Sequence, residues 1–261
     1  MGHRFELTDA EWAVIKPLLP NKPRGVPRVD DRRVLNGIFW VLRTGAPWED
    51  MPERYGPRTT VYNRFNRWRK AGVWARLLEH LQEDIEDSLY MVDSSVVRVH
   101  QHGTGARKKG ARTTRERRDG AISTGRSRGG LTTKLHALTD SRGNVVSLSL
   151  SPGQAHDLSA IPDLIEAVPE DTVLLADKAY DAKGFIAALV ERGVCPNISN
   201  KRNRKDPRGF FPSLYKLRNA VERFFGKLKH FRRIATRYEK RADNYLAMAQ
   251  LASARVLMRR L

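Results

Sequence analysis

Residues 89–100, "LYMVDSSVVRVH", mark the point where the chain changes its period. The stretch is rich in β-branched side chains and lacks the three-to-four-residue apolar spacing that precedes it, so it reads as a strand. Before it, residues 1–86 read as helical. Thr8 and Asp9 suit the cap of a helix carrying Trp12, Ile15, Leu18 and Leu19, which Pro20 ends. "NKPRGVPR" (21–28) is a linker by its proline and glycine content. A second helix from Asp30 or Asp31 carries Val34, Leu35, Ile38, Phe39, Val41 and Leu42, and "TGAPWEDMPERYGP" (44–57) is turn-rich. A third helix runs over 60–71, from a cap at Thr59 or Thr60 to a stop at Gly72, and a fourth over 73–86.

After residue 100 the reading alternates. "GLTTKLHAL" (130–138) and "NVVSLSLS" (144–151) flank "TDSRGN" as a hairpin, while "TVLLAD" (172–177) and "VCPNIS" (194–199) are short strands. Helices are predicted over 157–168, capped at Asp157, over 181–193, capped at Asp181, over 213–233 and over 243–260. From residue 89 the order is therefore βββαβαβα, interrupted over 103–130 by a segment rich in Gly, Arg, Ser and Thr. The predicted fold class is α/β with a mixed sheet, built as an all-α domain over 1–86 and a second domain over 87–261.

The charge narrows the partner. Lys and Arg number 48 against 29 Asp and Glu, a formal net charge of +19 spread along the 261 residues. Such a field favours a polyanion, most simply nucleic acid. An anionic membrane surface is the rival, but no long apolar stretch or amphipathic anchor appears, and "MGHRFELTDAEW" (1–12) lacks the apolar region of a signal peptide. The one cysteine, Cys195, excludes an internal disulfide and fits a reducing cytoplasm. Thiol-based zinc sites need more cysteines, and of seven histidines only His100 and His102 lie close together, more simply as polar surface than as ligands.

Two segments are candidates for nucleic-acid contact. On the helix at 60–71, Val61, Phe65 and Trp68 turn inward and Arg64, Arg67, Arg69 and Lys70 outward. With the helix before it, this is similar to a helix-turn-helix whose second helix reads a groove; an amphipathic helix with a solvated basic face is the plain alternative. The segment 105–130 holds nine basic residues, Arg107, Lys108 and Lys109 among them, and two acids. It reads as disordered, and either contacts phosphates without reading sequence or acts as a solvated spacer.

The carboxylates carry the chemistry. Asp93 follows the apolar "LYMV" and Asp177 follows the apolar "VLLA", and a buried carboxylate needs a cation or metal beside it. Asp140, Asp157 and Asp181 have plain turn or cap roles. In "YKLRNAVERFFGKLKHFRR" (215–233), seven basic residues accompany a single acid, Glu222. At 100° per residue, Leu217, Ala220, Val221, Phe224, Leu228 and Phe231 form one face, and Tyr215, Arg218, Glu222 and Lys229 another, within about 60° of each other. Glu222 has a dull reading as an i,i+4 partner of Arg218 and a sharper one as a metal ligand. Two strand aspartates and a helix glutamate supply hard oxygen ligands suited to Mg²⁺, and two such ions roughly 3.5–4 Å apart activate the attacking oxygen and stabilise the leaving one.

Tyr215, Arg218, Glu222 and Lys229 reproduce a Y-x2-R-x3-E-x6-K signature. In it, and in "MVDSS", "GRSRGGLTTKLHALTD", "LSPGQAHD" and "LLADKAYD", the chain resembles the DDE transposases of bacterial insertion sequences, nearest to the fifth insertion-sequence family. The resemblance implies a ribonuclease H-like catalytic domain with Asp93, Asp177 and Glu222 as catalytic metal ligands. It implies two Mg²⁺ ions, with Mn²⁺ as a substitute, and Tyr215, Arg218 and Lys229 against phosphates of the element end. Partners so implied are double-stranded DNA, both terminal inverted repeats and target, and a second copy of the chain in a dimer on DNA, with no membrane; the location implied is cytoplasmic, at the nucleoid. Only 44 residues separate Asp177 from Glu222, too few for the large β insertion some relatives carry there. The alternative is a DNA-binding regulator derived from a transposase that no longer cuts.

Overall fold

The computed structural model describes residues 5–20, 29–82, 85–104, 123–127, 129–160, 164–202, 204 and 207–259. The linker at 21–28 and most of the basic segment, with Arg107, Lys108 and Lys109, lie outside these described residues. Four helices come first: α1 (Asp9–Ile15), α2 (Asp31–Thr44), α3 (Arg58–Lys70) and α4 (Val73–His80). Thr8 and Glu11 cap α1 reciprocally, each side chain accepting the other's backbone N–H. Asp30 accepts the Arg32 N–H at the start of α2, and Gly45, at φ 74°, ends it. The turn-rich stretch folds into two 3₁₀ turns, Trp48–Asp50 and Glu53–Tyr55. α3 starts at Arg58, directly after Pro57 and ahead of the threonines expected to cap it. α4 stops at His80, short of residue 86.

One mixed seven-stranded sheet follows, made of β1 (Leu89–Val99), β2 (Gly125–Ser127), β3 (Gly130–Asp140), β4 (Val145–Pro152), β5 (Val173–Ala176), β6 (Cys195–Ile198) and β7 (Thr236–Arg237). β3 lies antiparallel between β1 and β4, whereas β5 runs parallel to β1 and β6 parallel to β5. β2 pairs with the first residues of β3, and β7 with Arg98 and Val99 at the far end of β1. The helix expected over 157–168 begins instead as a 3₁₀ turn, Asp157–Ala160.

Further helices are α5 (Lys183–Glu191), α6 (Pro212–Tyr215), α7 (Asn219–Lys229), α8 (Arg232–Ala235) and α9 (Ala242–Met258). The single helix expected over 213–233 is thus broken twice. A 3₁₀ turn at Lys216–Arg218 joins α6 to α7 and rotates Leu217 off the core face, leaving it 46% exposed, and Phe231 leaves helical geometry before α8. Asp181 does not cap α5. It is buried, accepts the Lys201 N–H at 2.8 Å and pairs with Arg204 and Arg208, because a desolvated carboxylate needs partners of that kind.

The two faces of the sheet belong to different cores. On one, Met91, Leu135, Ala137 and Leu175 join Val34 and Leu35 of α2, Trp74 and Leu77 of α4, Phe224 of α7 and Leu251 of α9 in one continuous cluster. On the other, Tyr90, Val92, Leu138 and Leu174 pack with Phe185 and Leu189 of α5. α9 is buried on nearly every side from Tyr245 to Met258, as expected of a helix at the centre of a core. Ion pairs tie it to the N-terminal helices: Arg255 to Glu11 of α1 at 3.0 Å, and Asp243 to Arg69 of α3. No helix among the described residues is long and apolar enough to cross a membrane.

Candidate active site

β1 and β5 run parallel with Leu89 opposite Val173 and Met91 opposite Leu175. Two residues further on, the same register sets Asp93 level with Asp177, just past the end of β5, and the strand alternation gives both the face of Met91 and Leu175. α7 covers that face with Ala220, Val221 and Phe224. The hairpin between β3 and β4 seats the helix: a side chain at Gly143 (φ 74°) would come within 2.8 Å of the Ala220 carbonyl oxygen, so glycine is needed for both the turn and the approach.

Arg218 joins two of the three acids, Asp93 and Glu222. One guanidinium nitrogen lies 2.9 Å from Asp93 Oδ2, and another donates to Glu222 Oε1 at 2.8 Å. The Tyr215 ring lies 5.7 Å from the same guanidinium. Burial raises the Asp93 carboxyl above the usual carboxylate range; Arg218 and the Ser94 N–H oppose the shift, and the neighbouring charge of Asp177 adds to it. Burial also works against the charge on Arg218, yet Asp93, Tyr215 and Glu222 outweigh it and raise its pKa. Asp177 is held by the Ala179 N–H, which donates to its Oδ1 at 2.7 Å. Lys229 lies exposed at the end of α7, apart from this cluster.

Among the described residues, no group of three or more His, Cys, Asp or Glu is close enough to hold a metal ion. The i,i+4 pairing of Arg218 with Glu222 is formed instead, with the guanidinium standing between Glu222 and Asp93. The donor types still suit a hard divalent cation: Asp93 and Asp177 share one face of the sheet, Arg218 links Asp93 to Glu222, and the like charge of Asp177 on Asp93 is what a cation relieves.

Behind Asp93, on the opposite face of the sheet, lies a network the sequence reading missed. Ser94 Oγ donates to Asp157 Oδ1 at 2.9 Å, and Lys134 Nζ donates to the same oxygen at 2.9 Å and to the Ala155 carbonyl at 2.8 Å. Asp157 therefore does more than begin a turn. His136, opposite Ser94, is fully buried with Nε2 2.7 Å from Ser151 Oγ, and burial lowers its pKa to about 4, so it is neutral at physiological pH. Tyr180 is buried beside the same groups; burial, and then the charges of Asp157, Asp93 and Asp177, raise its pKa and keep the phenol neutral. Lys134 carried the available signal: a lysine inside an apolar strand demands a partner by the same rule that singled out Asp93.

On α3 the outward basic face is corrected. Arg64 is buried and paired with Asp31 of α2, and Arg69 is paired with Asp243 of α9, because carboxylates on packed neighbours draw both inward. Arg67 and Lys70 face solvent, alongside Tyr62 and Asn63.

Residues 85–257 match the family model described as "Transposase DDE domain". The chain belongs to the DDE transposase family. A second model, "Putative transposase of IS4/5 family", matches residues 7–78. A protein of Brucella ovis described as "Putative transposase for insertion sequence element IS6501" is 33% identical over 132 residues, covering 49% of this chain and 100% of that protein. The "Insertion element IS402 uncharacterized 16.2 kDa protein" of Burkholderia cepacia is 38% identical over 132 residues, or 45% of this chain and 87% of that one. Among solved structures, the piggyBac transposase synaptic complex with hairpin DNA superposes with a TM-score of 0.53 at 8% identity, covering 95% of this chain and 69% of that one. That likeness is one of fold: a ribonuclease H-like mixed sheet with an N-terminal helical region.

Proposed function

We propose that this member of the DDE family binds the terminal inverted repeats of an insertion sequence, cleaves the DNA at the element ends and joins the freed 3′-hydroxyl to target DNA. The observation that carries the reading is the level placement of Asp93 on β1 and Asp177 just past the end of the adjacent parallel β5, with Arg218 linking Asp93 to Glu222. Asp93, Asp177 and Glu222 would hold Mg²⁺, or Mn²⁺ in its place. Bound there, the metal supplies an activated attacking oxygen and neutralises charge at the leaving one. The remaining work falls to the chain itself. β1 and the end of β5 fix the two aspartates on one face of the sheet, and α7, seated by Gly143, carries Glu222, which Arg218 links to Asp93. Arg218, which engages Asp93 and Glu222, carries a planar fork suited to a phosphate oxygen pair. Tyr215 steadies the guanidinium from one side, and Lys229, exposed further along α7, meets phosphates away from the cleavage point. Arg67 and Lys70 of α3 contact the terminal repeat, and Arg107, Lys108 and Lys109 add affinity that does not depend on sequence.

The test is Glu222→Gln, assayed on a duplex bearing the terminal repeats that flank the coding region. Glu222 is exposed, so the fold and duplex affinity are expected to hold while Mg²⁺-dependent cleavage falls about 10²-fold or more. Cleavage near the wild-type rate would remove Glu222 from the site. Wild-type protein that binds the duplex without cutting it would favour the regulator.

A further inference from the structure

A groove with a cavity volume of about 530 Å³ opens between α3 and the segment leading into α9, away from the carboxylates. Its walls are aromatic. Trp48 and Tyr62 meet edge to face at 5.4 Å, and Tyr62 is 41% exposed. Tyr238 lines the groove as well, and the Arg233 guanidinium lies 5.6 Å from the Trp48 ring and 5.4 Å from that of Tyr238. Its rim carries three exposed basic residues, Arg58, Lys240 and Arg241; Arg58 is paired with Glu49 and Arg241 with Asp243, pairs that a phosphate would replace.

Two acceptors among the lining residues lack partners. Glu239 is 8% exposed; its Oε1 accepts from Arg233 Nε at 2.6 Å, while its Oε2 has no hydrogen-bond partner among the described residues. Asn244 Oδ1 is buried and likewise without a partner. Buried acceptors left unpaired are costly and rare, and here two of them line one groove. A ligand that relieves both must carry N–H donors, present a flat face to the aromatic rings, and bring negative charge to the rim.

We propose that the groove takes a single unstacked nucleobase bearing an exocyclic amino group (adenine, cytosine or guanine), with its flanking phosphates on Arg58, Lys240 and Arg241. Stacking against Trp48 and Tyr62 supplies affinity for any base, and the Glu239 and Asn244 acceptors take the amino hydrogens that thymine lacks. α3 carries exposed Arg67 and Lys70 one to two turns beyond Tyr62, so a base drawn out of a duplex held on that helix has the groove at the other end of the same helix. This assignment rests on the reading that the chain acts on DNA.

The probes are a short fluorescent oligothymidine strand and the same strand with one central adenine, cytosine or guanine, titrated by anisotropy into the full chain. At least one amino-bearing strand is expected to bind roughly tenfold tighter than oligothymidine. Tyr62→Ala, at an exposed position that leaves the fold intact by circular dichroism, is expected to weaken all four strands about tenfold. Asn244→Ala is expected to abolish the preference and leave oligothymidine affinity unchanged. Equal affinity of the wild type for all four strands, or indifference of the four affinities to both variants, would overturn the proposal and would mean that water satisfies the two acceptors. The terminal-repeat duplex separates the two readings. Wild-type binding to it with an indifferent groove refutes the groove alone, and no binding to any DNA refutes the DNA reading as well.

Discussion

Arg218 lies between Asp93 and Glu222, and the half-buried carboxylate of Asp93 would otherwise sit beside the like charge of Asp177 with little to offset it. Asp93 was legible as a residue needing a cation because it ends an apolar run; Asp177, which ends another, accepts the Ala179 N–H. Which cation was not legible, since the sequence offers 48 Lys and Arg and the choice depends on how α7 meets the sheet. Lys134 and His136 went unread for a related reason: their partners Asp157 and Ser151 are 23 and 15 residues away, across a strand register no local pattern reveals. His136 yields a prediction with a definite sign. Its pKa is depressed from 6.5 to about 4, so the unfolded chain binds a proton that the folded chain refuses. Stability from this residue is complete above about pH 6.5 and is lost as pH falls towards 4. His136→Asn should flatten the dependence in that window by on the order of 3 kcal/mol, read as the wild-type-minus-variant difference in urea midpoints. Parallel curves for the two proteins would mean that His136 is not buried neutral.

α3 shows what periodicity delivers and what it leaves out. Its buried face, Val61, Phe65 and Trp68, was legible from spacing alone. The fate of its four basic side chains was not, because Asp31 and Asp243 reach Arg64 and Arg69 from α2 and α9, helices whose packing partners are set by the tertiary core. The two kinds of arginine should behave differently. Arg64→Ala removes a buried ion-pair partner of Asp31 beside the core and should cost about 3–5 kcal/mol of stability in chemical denaturation. Arg67→Ala should leave stability within about 0.5 kcal/mol and reduce discrimination of the terminal repeat from random DNA by about 1–3 kcal/mol. Reversed behaviour in the same two assays would mean that the solvent-facing side of α3 does not carry recognition. The stretch 213–233 makes the complementary point: Ala220, Val221, Phe224 and Leu228 are on the core face as their period predicts, but the 3₁₀ turn that removes Leu217 from it has no marker such as Pro or Gly.

At the scale of the molecule, helices from both ends of the chain share one core with the sheet, so Leu251 of α9 and Leu77 of α4 belong to the same cluster as Met91 of β1. The change of period at residue 89 revealed two kinds of secondary structure but carried no information about which apolar faces would meet. Leu251→Ala should cost about 2–5 kcal/mol and lower one cooperative transition, with hydrogen exchange in α2 and β1 accelerating together. Exchange in α2 unaffected by the substitution would show that the helical region is stable alone. A timing constraint follows from the position of α9. A ribosome delivers residues at roughly 5–20 per second, N-terminus first. The apolar faces of α2 and α4 therefore emerge long before residues 242–258, which cover them. For several seconds the nascent chain displays an open hydrophobic seam while already carrying most of its positive charge, so a message truncated ahead of α9 would yield a product suited to chaperones and proteases and not to DNA.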